Sequence, residues 1–81
     1  MHSSHPDIIK RLKRANGHLA SVIAMIEEGR PCVDLAQQLH AVEAAVGNAK
    51  RTLIHDHIDH CLADGHAQNA LRELKALTKY L

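Results

Sequence analysis

Histidine and cysteine carry most of the chemistry in this 81-residue sequence, which holds eight histidines and two cysteines. His57 and Cys61 are four positions apart. On a helix they would project from one face, one turn above the other. An imidazole and a thiolate placed in this way can share a soft or borderline metal ion. Two ligands hold an ion poorly, so a third is needed, and Cys32 is the natural candidate.

A long heptad pattern connects Cys32 with His57. Apolar residues recur at alternating steps of three and four, at Cys32, Leu35, Leu39, Val42, Val46, Ala49 and Leu53. No helix-stopping residues follow before 63–65, so the pattern predicts one helix of about thirty residues that starts beside Pro31. Cys32 and His57 would then lie about 37 Å apart at 1.5 Å per residue, too far to bind one ion within a single chain.

The remaining elements are predicted from the same kind of periodicity. An apolar stripe predicts a first helix from Asp7 to Glu28, stopped by Gly29, and a shorter third helix follows Gly65. Residues 1–6 read as a flexible, histidine-containing arm, and residues 7–81 as one helical domain. The chain has no Phe or Trp, which disfavours a β-sandwich and supports an all-α fold. So few helices leave little room for a closed substrate pocket, so we do not expect an enzyme.

A helix of thirty residues is too long for its own chain to cover. We therefore expect an antiparallel homodimer that forms a four-helix bundle, with a dimer of dimers as the alternative assembly. The symmetry axis would pass near Ala44, Ala45 and Val46. Cys32 of one chain would then face His57 and Cys61 of the other, which gives two equivalent metal sites. The alternative for Cys32 alone is a small hydrophobic residue in an apolar stripe.

Other histidines could complete such a site. His2 and His5 on the arm could raise the coordination number toward the four to six that nickel or cobalt prefers, although a disordered tail is the alternative. His60 is a further candidate, but it falls on another face of the helix turn, where a solvated polar side chain is expected.

Basic residues are concentrated in two places. Lys10, Arg11, Lys13 and Arg14 lie within five positions, and Lys50 and Arg51 form a second pair. A dimer would double this positive surface, for which phosphates are the obvious partner. The sequence offers no stacking aromatics for single strands or RNA, so any DNA contact would be with double-stranded DNA through a broad helical surface. For this cluster alone, a merely solvated charged face is the more common explanation.

The segment 11–18, Arg-Leu-Lys-Arg-Ala-Asn-Gly-His, resembles the first-helix signature of the CsoR/RcnR/FrmR family of small bacterial metal- and formaldehyde-sensing repressors. That signature usually ends in Gly-Gln, from which His18 departs. The spacing of Cys32, His57 and Cys61 is the most specific part of the resemblance, which covers nearly the whole chain.

The resemblance implies an all-helical dimer or dimer of dimers that represses transcription until an inducer releases it from its operator. Cys32, His57 and Cys61 match ligands that bind Cu(I) across the subunit interface in the copper sensors. Those sensors also have a Tyr and a Glu at the positions of Pro31 and Leu77, so the network thought to transmit copper binding is expected to be missing. The histidines of the arm are more typical of the nickel and cobalt sensors, although those sensors typically carry His at the position of Cys61, from which this sequence departs.

Together these features predict a cytoplasmic, metal-responsive repressor with no membrane association. Two thiolates and one imidazole favour Cu(I) on softness, with Ni(II) or Co(II) close behind. Two other functions stay open: a thiol- or formaldehyde-responsive repressor that uses Cys32, and a metal-storage bundle that does not bind DNA.

Overall fold

The computed structural model describes residues 5–63 and 67–81, without the side chains of 61–63 and 67–70. Helix α1 spans His5–Glu27, α2 spans Cys32–Ala63 and α3 spans Ala67–Leu77, followed by a 3₁₀ turn at Thr78–Tyr80. The predicted all-α fold with one very long central helix is confirmed, since α2 contains 32 residues. At 1.5 Å per residue it is about 48 Å long.

The start of α1 corrects one prediction. The helix begins at His5, so His5 and Pro6 form its first turn instead of ending an arm that extends to residue 6. Proline is tolerated there because the first N–H groups of a helix have no intrahelical acceptor in any case. Asp7 occupies the first turn, as predicted, and its Oδ2 lies 3.0 Å from Nε of Arg11, one turn later. Residues 1–4, with His2, lie outside the described part.

The turn between α1 and α2 is a tight cap. Gly29 has a φ of +78°, its N–H donates to the carbonyl of Ile26, and the N–H of Arg30 donates to that of Met25. This is the hydrogen-bond pattern of a Schellman cap, which favours glycine at the left-handed position. Pro31 lies just outside the next helix rather than in its first position, and its carbonyl accepts from the N–H of Leu35 at 3.1 Å.

Helices α1 and α2 pack as an antiparallel hairpin. Its buried seam takes every seventh residue of α1, namely Ile8, Ala15 and Val22, together with Val42 and Ala49 of α2. Residues spaced by seven lie almost in line along a helix, so each helix contributes one straight row to the seam. Ile54 is also buried, near the open end of the hairpin.

A second apolar row on each helix is left uncovered. On α1 it consists of Leu12, Leu19 and Ile26. On α2 the side chains of Leu39, Val46 and Leu53 are 43%, 45% and 41% exposed. The heptad stripe read from the sequence is therefore two adjacent rows, one packed within the chain and one facing outward. The outward rows of the two helices together form what we call the apolar face.

Helix α3 packs against α2, and the chain measures 53 × 24 × 13 Å. The smallest dimension is close to one helix diameter, so the hairpin is a single layer of helices. Within the described residues, no helix combines the length and the apolar character needed to cross a membrane.

Candidate metal centre and basic cleft

Two predicted ligands, Cys32 and His57, lie on one helix. Cys32 is the exposed first residue of α2, and His57 is half-buried in its last third. The unbroken helix between them keeps their backbones about 37 Å apart. One ion therefore cannot join them within a single chain, as expected from the sequence.

His57 contacts a carboxylate that the sequence analysis missed. Its Nε2 donates a hydrogen bond to Oε2 of Glu73 in α3. The resemblance had pointed to residue 77 for a carboxylate near the metal site, and Leu77 stands there. Glu73 lies one turn earlier, on the same face of α3. Glu73 therefore makes a hydrogen bond to His57 that the apolar side chain of Leu77 cannot make.

His5 lies beside His57. Both side chains line one open cavity of about 240 Å³ between the start of α1 and the last third of α2, together with Leu53, Ile54 and Leu77. Because α1 starts at His5, the imidazole of His5 is held by the helix, in its first turn. The structure therefore brings one of the proposed extra nitrogen ligands to the cavity that contains His57.

The remaining predicted ligands lie at the end of α2. His60 is exposed in the last turn, where it continues the outward row of Leu39, Val46 and Leu53 at an interval of seven residues, and the backbone of Cys61 follows it in the same helix. The side chain of Cys61 lies outside the described part. Among the side chains that are described, no group of three His, Cys, Asp or Glu is placed to hold a metal ion.

The predicted DNA-binding residues divide into two groups. Arg11 and Arg14 line an open cavity of about 340 Å³ between α1 and α2, with Ala15, His18, Ala45 and Asn48. We call this cavity the basic cleft. Arg51 reaches its edge, because its Nη2 donates to Oδ1 of Asn48. Lys10, Lys13 and Lys50 are exposed and are not part of the lining.

His18 and Asn48 were not predicted as site residues. Nε2 of His18 donates to Oε1 of Gln38 at 2.6 Å, a bond that links α1 to α2. Both residues could have been found from spacing: His18 is four positions after Arg14, and Asn48 is three before Arg51. Side chains at those intervals share a helix face.

The comparisons with known proteins agree with this architecture. A family model described as "metal-sensitive transcriptional repressor" matches residues 4–81. The chain belongs to this family. Within the metal-sensitive repressors, the copper-sensing transcriptional repressor CsoR of Mycobacterium tuberculosis (strain H37Rv) is 36% identical over 76 residues, covering 89% of this chain and 64% of that protein. CsoR of Bacillus subtilis (strain 168) is 41% identical over 71 residues, covering 83% of this chain and 70% of that protein.

This member of the metal-sensitive repressor family thus spans less than two thirds of the mycobacterial relatives it matches. Its fold is also that of a solved structure, the nickel-responsive transcriptional regulator InrS. The two share a TM-score of 0.84 and 34% identity over 100% of this chain and 97% of that one. These relatives are named for two different metals. Family membership therefore indicates the class of protein and leaves the choice of metal to the site.

Proposed function

We propose that this chain is a metal-responsive transcriptional repressor that binds operator DNA without metal and releases it when a thiophilic ion binds between two subunits. The observation that carries the proposal is the outward row of α2. Cys32, Leu39, Val46, Leu53 and His60 follow one another at intervals of seven residues. This row is symmetric about Val46, with an apolar residue on each side and a potential metal ligand at each end.

The symmetry supports an antiparallel dimer. A twofold axis at Val46 sets Leu39 of one copy against Leu53 of the other, and buries side chains that are more than 40% exposed in one chain. The same axis sets Cys32 against the turn that holds His57 and His60. The ligand pair that is about 37 Å apart within one chain is then adjacent between chains.

The donor set suits a soft or borderline metal. When bound, the ion joins a thiolate of one subunit to an imidazole of the other, and Cys61 would add a second thiolate. Two sulfurs and one nitrogen favour Cu(I). His5, which shares a cavity with His57, would add a nitrogen and favour Ni(II) or Co(II), and His2 and His60 are further candidates. The relatives named for copper and for nickel are consistent with both possibilities.

The contact between His57 and Glu73 provides a route from the metal site to α3. A carboxylate that accepts from an imidazole orients the ring and increases its basicity as a ligand. In this role Glu73 would stay on His57 when an ion binds, and would link α3 to the metal site.

DNA binding would use the basic residues of both subunits. Lys10, Arg11, Lys13, Arg14, Lys50 and Arg51 carry six positive charges per chain, and the dimer presents twelve. Charges of this density attract the DNA backbone and make binding depend on salt. Coupling between two sites in such a switch is typically about 1–3 kcal/mol. Metal should then weaken DNA binding by about 5- to 150-fold.

The test is an anaerobic titration of the metal-free protein with Cu(I), Ni(II) and Co(II). Absorption spectra would follow binding, and fluorescence anisotropy would follow release of a DNA duplex selected from a random pool. The proposal predicts one ion per chain and release at that stoichiometry. Metal binding without any DNA affinity would indicate a storage bundle instead. Release by formaldehyde or an oxidised thiol, unaffected by Cys61→Ser, would indicate a sensor that uses Cys32 alone.

A further inference from the structure

The basic cleft presents hydrogen-bond donors from both helices. A guanidinium only donates, so the amide oxygen of Asn48 accepts from Arg51 and the amide NH2 of Asn48 is left to donate elsewhere. Arg14, on the opposite wall, makes no hydrogen bond or ion pair within the described part of the chain. None of the six residues that line the cleft carries a carboxylate.

Two further contacts hold the walls in place. The bond from His18 to Gln38 fixes the imidazole at one side of the cleft with a side chain from the other helix. Arg11 pairs with Asp7 through Nε, at 3.0 Å. A guanidinium has five N–H donors, so this ion pair leaves the terminal nitrogens of Arg11 available to a second anion.

The cleft stays open when the proposed dimer forms. With 100° per residue, Arg11, Arg14 and His18 lie on one side of the buried row of Ile8, Ala15 and Val22, and the outward apolar row of α1 lies on the other. On α2, Gln38, Ala45 and Asn48 are separated from Val46 by the buried row in the same way. A partner that covers the apolar face therefore does not cover the cleft.

From these observations we infer that the basic cleft is a binding site for a single phosphate group, with Arg11 and Arg14 as its charges and His18 and Asn48 as polar walls. Planar guanidinium groups match the oxygens of a phosphate and bind them in pairs. The inference rests on the proposed function in one respect, since a phosphate of the DNA backbone is the ligand expected there. A free phosphate compound has the same chemistry.

The site itself is tested with inorganic phosphate. Chemical shifts of the His18 ring and of the Asn48 amide group are followed by NMR in the full-length, metal-free protein, at constant ionic strength with chloride as the replaced anion. We expect saturable shifts at both side chains, and at least a tenfold weaker affinity in Arg14→Ala. Arg72→Ala, which removes an exposed arginine from α3, should leave the affinity unchanged.

The source of the phosphate is tested with a DNA duplex. Arg14→Ala should lower the slope of log K against log salt by about one for each subunit that contacts DNA. Asn48→Ala should weaken DNA binding by about fivefold, and because this side chain is exposed the variant should fold normally. His18→Ala should also weaken it, whereas His40→Ala, at an exposed position on α2 outside the cleft, should not.

The phosphate titration tests the binding site itself, and the DNA measurement tests whether DNA supplies the phosphate. Phosphate shifts that do not saturate, or that chloride reproduces, would overturn the inference even if the protein binds DNA tightly. Saturable shifts at His18 and Asn48 in a protein that does not bind DNA would support the site with a free phosphate compound as its ligand. That second result would count against the proposed function alone.

Discussion

Glu73 of α3 contacts Nε2 of His57 in the last third of α2. The two residues are sixteen positions apart and belong to different helices, so the contact fixes the approach of α3 to the proposed metal site. Both side chains are partly exposed, at 37% for His57 and 48% for Glu73. Even a fully charged pair at this exposure contributes little stability, typically below about 1 kcal/mol. We therefore expect the contact to matter more for metal binding than for folding.

Replacement of Glu73 tests this expectation. Glu73→Gln keeps the size of the side chain and removes the charge that supports the imidazole. Loss of such a partner typically lowers metal affinity by about 10- to 100-fold. The measurement is a competition titration against a chelator of known affinity. Glu43→Gln, at an exposed position on α2 about 16 Å or more along the helix from both Cys32 and His57, is the matched control and should bind metal like the wild type. Equal affinities for both variants would show that Glu73 does not support the site.

The helices were predicted well from the sequence because apolar residues recur at steps of three and four along one side of each helix. The length of α2, the stop at Gly29 and the mismatch between one long helix and a small chain all followed from this pattern. Periodicity did not distinguish the row that packs within the chain, such as Val42, from the adjacent row that faces outward, such as Val46. That choice depends on how α1 is rotated against α2, which is set by packing at the seam.

The contacts of the site were harder to predict for a related reason. The contact between Glu73 and His57 depends on the angle between α2 and α3, which the heptad pattern does not determine. The helical placement of His5 was missed because Pro6 was taken as a boundary, although proline is accommodated in a first helical turn. In both cases the residue types indicated which chemistry was available, but the contacts could be identified only from the folded structure.

A charge placed on the apolar face at the proposed twofold axis should weaken the dimer. Val46→Glu would bury two carboxylates against each other, and an uncompensated buried charge costs about 3 kcal/mol or more. The dimer dissociation constant should therefore rise by about 100-fold or more, as measured by sedimentation or light scattering over a dilution series. Metal affinity should fall with it, because the proposed site needs both chains.

A matched control for this charge is available on the same helix. Val33 is 69% exposed and lies about 140° around α2 from Val46, so Val33→Glu should leave the dimer intact. If Val46→Glu dimerises as tightly as Val33→Glu, the subunit interface does not lie on the apolar face.

Alanine substitutions at two glycines should change the free energy of unfolding in opposite directions. Gly29 has a φ of +78° and open space around the position of a Cβ, so Gly29→Ala introduces backbone strain without a clash. We expect it to lower the free energy of unfolding by about 1 kcal/mol per chain. Gly17 lies within α1 and also has open space. Gly17→Ala should raise the free energy of unfolding by about 0.5–1 kcal/mol. Chemical denaturation at matched protein concentration measures both, and changes of the same sign would contradict the account.

The shared metal site is tested most directly by mixing two defective proteins. Cys32→Ser and His57→Ala should each lose tight metal binding, since every site in either homodimer lacks a ligand. After the two are unfolded and refolded together, half of the dimers should be mixed. One site of each mixed dimer combines an intact Cys32 with an intact His57. The account predicts that tight binding returns at about one ion per four chains, by the random pairing of subunits. A mixture that binds no more metal than its two parents would contradict it.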